Sequence, residues 1–87
     1  MYPVELTNDH IREELSQLIA DAVVMQNDAE REEIRAYYLG KTHALYELAA
    51  VLYLGLLDVR EAVAEKVEQI YKRREGGVVV SSLIGPN

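Results

Sequence analysis

The hydrophobic positions of this chain follow the spacing of α-helices over most of its length. Between residues 9 and 25 they recur at intervals of four and three, which places them on one helical face. A similar stripe occurs over 59–75, and the segment 28–54 begins with charged residues and becomes apolar on nearly all sides. The pattern therefore predicts an all-α fold with helices at about 9–25, 28–54 and 59–75.

Residues that favour helix ends lie between these segments. Asn8 or Asp9 can accept hydrogen bonds from the first free N–H groups of helix 1. Asn27 begins a capping-box pattern, which favours a turn between helices 1 and 2. Gly55 suits the position after a helix, and Asp58 is predicted to cap helix 3.

The predicted helices are long for the size of the chain. A helix over 28–54 would extend about 40 Å at 1.5 Å per residue, whereas a compact domain of this length has a radius of gyration of about 12 Å. We therefore expect an elongated antiparallel helical hairpin or three-helix arrangement over 9–75. Residues 1–8 contain Pro3 and are predicted to be an extended N-terminal arm. Residues 76–87 lack charge and are rich in valine, which predicts an extended apolar C-terminal tail.

Composition narrows the classes of partner. The 87 residues form one domain, contain no cysteine and carry a formal charge of −6. Residues 1–35 hold nine acidic side chains against three arginines, so direct binding to a nucleic-acid backbone is not expected. The most apolar window, 44–57, is too short to span a bilayer. We expect no membrane partner, and a cytoplasmic location before any assembly.

The sequence offers little catalytic chemistry. His43 and Glu47 are spaced to share a helical face, but zinc needs at least three protein ligands. The serines lack a nucleophile-elbow context, and Gly76-Gly77 is not followed by the Lys and Ser/Thr of a phosphate loop. We therefore predict a non-enzymatic protein without a metal or cofactor.

Helix 2 has two apolar stripes, one more than a hairpin can cover. One stripe contains Tyr46 and Tyr53, and tyrosine is enriched at protein interfaces; an ordinary core with wet hydroxyl ends is the alternative. The tail, if ordered as a strand, needs hydrogen-bond partners from another chain, and the alternative is a floppy tail. The predicted interface residues are Tyr38, Tyr46, Tyr53, Leu39, Leu57, Val78, Val79, Val80, Leu83 and Ile84.

The stretch EEIRAYYLGKTHALYELAAVL, residues 32–52, resembles small bacteriophage-encoded helical proteins with a Gly-Lys/Arg-x-x-Ala-Leu-x-x-Leu core. The matching residues are Gly40, Lys41, Ala44, Leu45 and Leu48. The resemblance implies a structural or assembly role. We therefore predict a non-catalytic protein that forms homo-oligomers, or docks on other assembly subunits, through helix 2 and the tail, with a phage virion as the favoured setting.

Two other functions stay open. The acidic amino-terminal half could belong to a small inhibitor that imitates nucleic acid or blocks a basic partner. Residues 47–54 also resemble the second metal-binding helix of MazG-type nucleotide pyrophosphatases, with Glu47 at the glutamate and Glu30–Glu33 as the other acidic motif. Ala50 stands at the aspartate position and cannot bind magnesium, so this resemblance implies a degenerate member.

Overall fold

A computed structural model describes the backbone of residues 7–84 and the side chains of residues 7–75. Over that range the chain forms three helices and no strand: α1 (Asn8–Asp28), α2 (Glu32–Val51) and α3 (Leu56–Ile84). The predicted all-α class is confirmed. Residues 1–6 of the predicted amino-terminal arm lie outside the described range.

Helix α1 begins one residue earlier than predicted and is capped by Thr7. The Thr7 Oγ1 atom accepts a hydrogen bond from the backbone N–H of His10 at 3.1 Å, so Asn8 and Asp9 are inside the helix and not its cap. The helix continues through Asn27, whose amide donates to the hydroxyl oxygen of Tyr71 at 3.1 Å. Asn27 therefore does not cap the next helix, although the predicted separation of helices 1 and 2 is present at 29–31.

Helix α2 begins four residues later and ends three residues earlier than predicted, and its end has the hydrogen bonds of a Schellman motif. The N–H of Tyr53 donates to the carbonyl of Ala50, and the N–H of Leu54 donates to the carbonyl of Ala49, both at 3.1 Å. This geometry gives Tyr53 a φ of 54°. The left-handed residue that terminates α2 is therefore a tyrosine, and not the glycine expected from the sequence.

Gly55 forms the start of α3 instead of the end of α2. Its φ is 83°, and its carbonyl accepts from the N–H of Val59 at 3.0 Å. Helix α3 begins at Leu56, so Asp58 lies in the first turn and does not cap the helix as predicted. An acidic side chain in this turn interacts favourably with the helix dipole.

The prediction of an extended tail from residue 76 is wrong for the backbone as far as Ile84, because α3 continues to that residue. Valine costs only about 0.7 kcal/mol or less relative to alanine in a helix. Each added helical residue also gains a backbone hydrogen bond, which an isolated strand lacks. The structure describes α3 as far as Ile84. Residues 85–87, and the side chains of Val78, Val79, Val80, Leu83 and Ile84, lie outside the described part.

Helix α1 is the central element and packs against both other helices, whereas α2 and α3 touch each other at few positions. Arg12, near the start of α1, donates from Nε to the carbonyl of Leu54 at 2.7 Å, so α1 and α2 are antiparallel. Lys66 pairs with Glu13 at one end of the α1–α3 contact, and Arg74 pairs with Asp28 at the other. Helices α1 and α3 therefore run in the same direction.

The core lies where α1 meets the turn between α2 and α3. Its buried residues are Leu15, Ile19, Ala20, Ala49, Leu54, Val59 and Val63. The Cα radius of gyration is 16.4 Å and the extents are 51 × 38 × 27 Å, compared with about 12 Å for the radius of gyration of a compact domain of this length. The expected three-helix arrangement is therefore present in an open form.

Candidate functional site

The described part of the chain exposes more large apolar side chains than it buries. Nine apolar residues are buried, and three of them are alanines, whereas eleven large ones are exposed. Scattered exposed apolar residues are ordinary, but contiguous ones mark interaction surfaces. The exposed residues are Leu18, Met25, Ile34, Tyr37, Leu39, Leu48, Val51, Leu52, Tyr53, Leu56 and Leu57.

Several of these side chains line a groove between α1 and α2. The groove has a volume of about 230 Å³, and Leu18 from α1 lies across it from Leu48 of α2 and from Leu52, the residue that follows α2. His10 and Glu14 provide its polar atoms. We refer to this feature as the α1–α2 groove. Its complete lining is His10, Ile11, Glu14, Leu15, Leu18, Leu48 and Leu52.

The groove continues into an exposed apolar turn formed by residues 51–57. Leu52 belongs to both features, and Tyr53 and Leu57 leave 91% and 76% of their surface accessible. Val51 and Leu56 are exposed beside them. The α1–α2 groove and this turn together form one surface, which we call the apolar face.

Tyr53 combines exposure with a costly backbone conformation. A left-handed conformation costs an L-residue roughly 1–2 kcal/mol, which is why glycine is usual at this position of a helix end. The Tyr53 ring is almost wholly in solvent, so packing within the chain does not compensate for that cost. Conformations of this kind cluster at functional sites.

Tyr46 lies on the other side of α2 and has a partly structural role. Its ring packs against the core, and the guanidinium of Arg60 lies 5.9 Å from the ring centroid. Burial raises the pKa of Tyr46, and the positive charge of Arg60 partly opposes that increase. The ring thus joins α2 to α3, where those helices otherwise make few contacts.

The sequence-predicted interface residues occupy different environments. Tyr53, Leu57 and Leu39 are exposed, whereas Tyr38 and Tyr46 are half-buried. The α1 side of the groove was missed, because Leu18 belongs to a regular apolar stripe that reads as core. The sequence did indicate this surface through the width of the apolar stripe. Ile19 makes the stripe wider than the strip of surface that a single neighbouring helix can cover.

Charged side chains of the described residues form pairs and not a ligand cluster. No group of three His, Cys, Asp or Glu residues in that part of the chain lies close enough to hold a metal ion. A shallow depression of about 420 Å³ has Asp58, Glu61 and Glu65 at its border, and its remaining lining residues also belong to α3. His43 and Glu47 are exposed.

No helix in the described range is both long enough and apolar enough to cross a membrane. Comparison of the chain with protein-family models, with curated proteins and with solved structures finds no match. The functional argument therefore depends on the geometry of the apolar face.

Proposed function

We propose that this chain is a non-catalytic structural or assembly protein that binds other proteins through the apolar face. The observation that carries the proposal is the exposure of the apolar side chains of the groove and of the 51–57 turn, which meet at Leu52. Full burial of one large apolar side chain is worth about 1.5–3 kcal/mol. Covering five such residues at the turn would therefore supply several kcal/mol of binding free energy.

The position of Tyr53 supports this role. Large aromatic side chains with a polar tip are frequent anchors in protein interfaces. Here the anchor is held in a left-handed conformation at the end of a helix and points away from the core, with Leu57 exposed nearby. A partner that buries this ring would gain the packing that the chain itself does not provide.

The favoured setting is the assembly of a phage particle, as the resemblance over residues 32–52 implies. In that stretch Leu45 packs against the core, while Leu48 lines the groove. The resembling residues thus include both a position that holds the helix in place and a position on the proposed binding surface. Protein partners, as further copies or as other assembly subunits, follow from this role.

The acidic-inhibitor alternative receives less support from the charges. It relies on carboxylates that project freely toward a basic partner. Glu13 pairs with Lys66, Glu32 lies 3.6 Å from Arg35, and Glu33 is 3.0 Å from Arg31. These pairs offset part of the negative charge that a basic partner would meet at those positions.

Site-specific photo-crosslinking in the source cells tests the proposed function. A photoreactive phenylalanine derivative replaces Tyr53 in one variant and the exposed Glu65 on α3 in the control. We expect discrete protein adducts from position 53, identified by mass spectrometry, and few from position 65. Equal labelling at both positions, or adducts to nucleic acid, would contradict the proposal. Magnesium-dependent nucleotide hydrolysis that is lost in Glu47→Gln would contradict the non-catalytic assignment.

A further inference from the structure

We infer that a second copy of this chain covers the apolar face, with the α1–α2 pairs of two copies stacked into a four-helix layer. In this arrangement α1 of each copy lies opposite α2 of the other, about a two-fold axis that runs parallel to the helices. The inference rests on the proposed function and specifies its partner. Three observations support it: the interface area that two helices can offer, the alignment of α1 along α2, and the charges of Lys41 and Asp21.

The surface area that a dimer must bury favours an interface formed by two helices of each copy. A helix of about 20 residues is about 30 Å long and presents a strip about 10 Å wide, or roughly 300 Å². Two α2 helices alone would therefore bury about 600 Å² in total, which is typical of weak crystal contacts. Two α1–α2 pairs would bury about 1,200 Å², the lower bound of specific interfaces. The groove between the two helices must therefore take part.

The register of α1 against α2 is set by contacts within one copy. Arg12 bonds to the carbonyl of Leu54, and Leu18 shares the groove with Leu48. Each step forward along α1 therefore matches one step back along α2. The groove sets residues 10–18 of α1 beside Leu48 and Leu52, and the short loop at 29–31 joins the opposite ends of the two helices, so Lys41 lies within about one helical turn of the level of Asp21.

The proposed two-fold axis preserves these levels between copies. Lys41 of one copy then faces α1 of the other, within one turn of its Asp21. One turn is 5.4 Å, a distance that the flexible four-carbon stem of lysine can span. The symmetry produces the same pair twice, so both copies contribute one base and one acid.

The charges on the two helices suit this exchange. Lys41 is exposed and is the only lysine or arginine between Arg35 and Arg60. Within the described side chains it has no ion-pair partner, so its charge is available to a second molecule. Asp21 is exposed on α1 and accepts one hydrogen bond, from the Gln17 amide at 3.0 Å.

Gly40 is consistent with close approach of a second copy. A Cβ atom built at Gly40 would meet nothing within 4 Å, so packing inside the chain does not require glycine there. Glycine inside a helix costs roughly 1 kcal/mol relative to alanine. Gly40 and the exposed Ala44 are one turn apart on one side of Lys41, so the small side chains there leave room for another helix beside it.

A charge-exchange experiment tests this arrangement. Sedimentation equilibrium is measured for the intact chain, for Lys41→Glu, for Asp21→Lys and for an equimolar mixture of the two variants. We expect the wild type to dimerise and each variant alone to dimerise roughly tenfold more weakly or worse, because each places like charges together twice. The mixture should recover wild-type affinity, because a mixed dimer restores both opposite-charge pairs.

Two further variants separate the interface from the fold. Leu48→Glu places a charge in the groove and should abolish dimerisation, whereas Ala64→Glu on the exposed side of α3 should leave it unchanged. Circular dichroism should show equal helix content in all variants. A dimer without recovery in the mixture, or one insensitive to Leu48→Glu, would overturn the inference.

The same measurements distinguish this inference from the function on which it rests. A wild type that stays monomeric at its highest soluble concentration would overturn the second copy as partner. If position 53 still crosslinks to a different protein, the proposed function would stand without the inference. If position 53 crosslinks to no protein, the proposed function would fail as well.

Discussion

At the scale of single residues, Tyr53 shows how function and stability compete. The Schellman hydrogen bonds at the end of α2 require a left-handed residue, and Leu54, the next residue, is buried in the core. Glycine would satisfy the backbone there without strain. The tyrosine instead exposes an aromatic ring beside Leu57, where it is available to a partner.

Replacing Tyr53 with glycine should therefore stabilise the isolated fold while weakening binding. We expect the free energy of unfolding to rise by about 0.5–1 kcal/mol, because relief of backbone strain exceeds the added entropy of the unfolded chain. Urea denaturation at low protein concentration measures this change, and sedimentation equilibrium measures association.

Tyr37→Gly is the matched control, because Tyr37 is also exposed but lies inside α2 with an ordinary helical backbone. That change should lower the free energy of unfolding by about 1 kcal/mol, because glycine is a poorer helix former than tyrosine and the edge-to-face contact of the Tyr37 ring with Tyr38 is lost. A loss of stability in Tyr53→Gly similar to that of the control would show that the Tyr53 ring packs within the fold, contrary to this account.

The sequence contained part of this information. Gly55 was recognised as a turn residue, and it does adopt a positive φ. The left-handed conformation of Tyr53 could not be predicted from the sequence, because residue preferences favour glycine at the end of a helix. The left-handed residue is determined by where Leu54 reaches the core, and that is a property of the tertiary fold.

At the scale of elements, α1 holds the molecule together because it packs against both neighbours. One of its contacts to α3 is the ion pair between Glu13 and Lys66, in which the lysine side chain is only 15% exposed. The Glu13 carboxylate is 64% exposed, so the pair itself has the modest energy of a surface ion pair, whereas the stem of Lys66 is covered by the fold and an apolar side chain of similar shape can replace it.

Two substitutions at this contact should therefore behave differently. Glu13→Gln should lower the free energy of unfolding by about 0.5–1 kcal/mol, because Lys66 stays in place with a weaker partner. Lys66→Met should leave it nearly unchanged, because the methionine covers the same apolar surface without a charge. Thermal or urea unfolding measures both, and equal losses in the two variants would contradict the described burial of Lys66.

The number and class of the helices were predictable, because the apolar stripes of 9–25 and 59–75 have clear helical spacing. The helix ends were less accessible, since Thr7 and Asn27 compete with neighbouring residues of similar capping preference. The C-terminal segment was misassigned because local β preference is weak compared with the continuation of an existing helix.

At the scale of the whole molecule, three helices arranged with α1 in the middle cannot close a bundle. Helices α2 and α3 touch little, and the radius of gyration of 16.4 Å reflects that open form. The surplus of apolar surface on helix 2 was predictable from its two stripes. The residues that form this exposed apolar surface were not predictable, because the exposure of Leu18 depends on how α1 and α2 cross.

The central claim is that a second copy of this chain buries the apolar face. A dilution series followed by methyl NMR tests it most directly. We predict that the signals of Leu18, Leu48 and Leu52 change with protein concentration, while those of Val63 in the α1–α3 core stay constant. Groove signals that remain unchanged from the most dilute to the most concentrated sample would contradict the claim that copies of this chain cover the face.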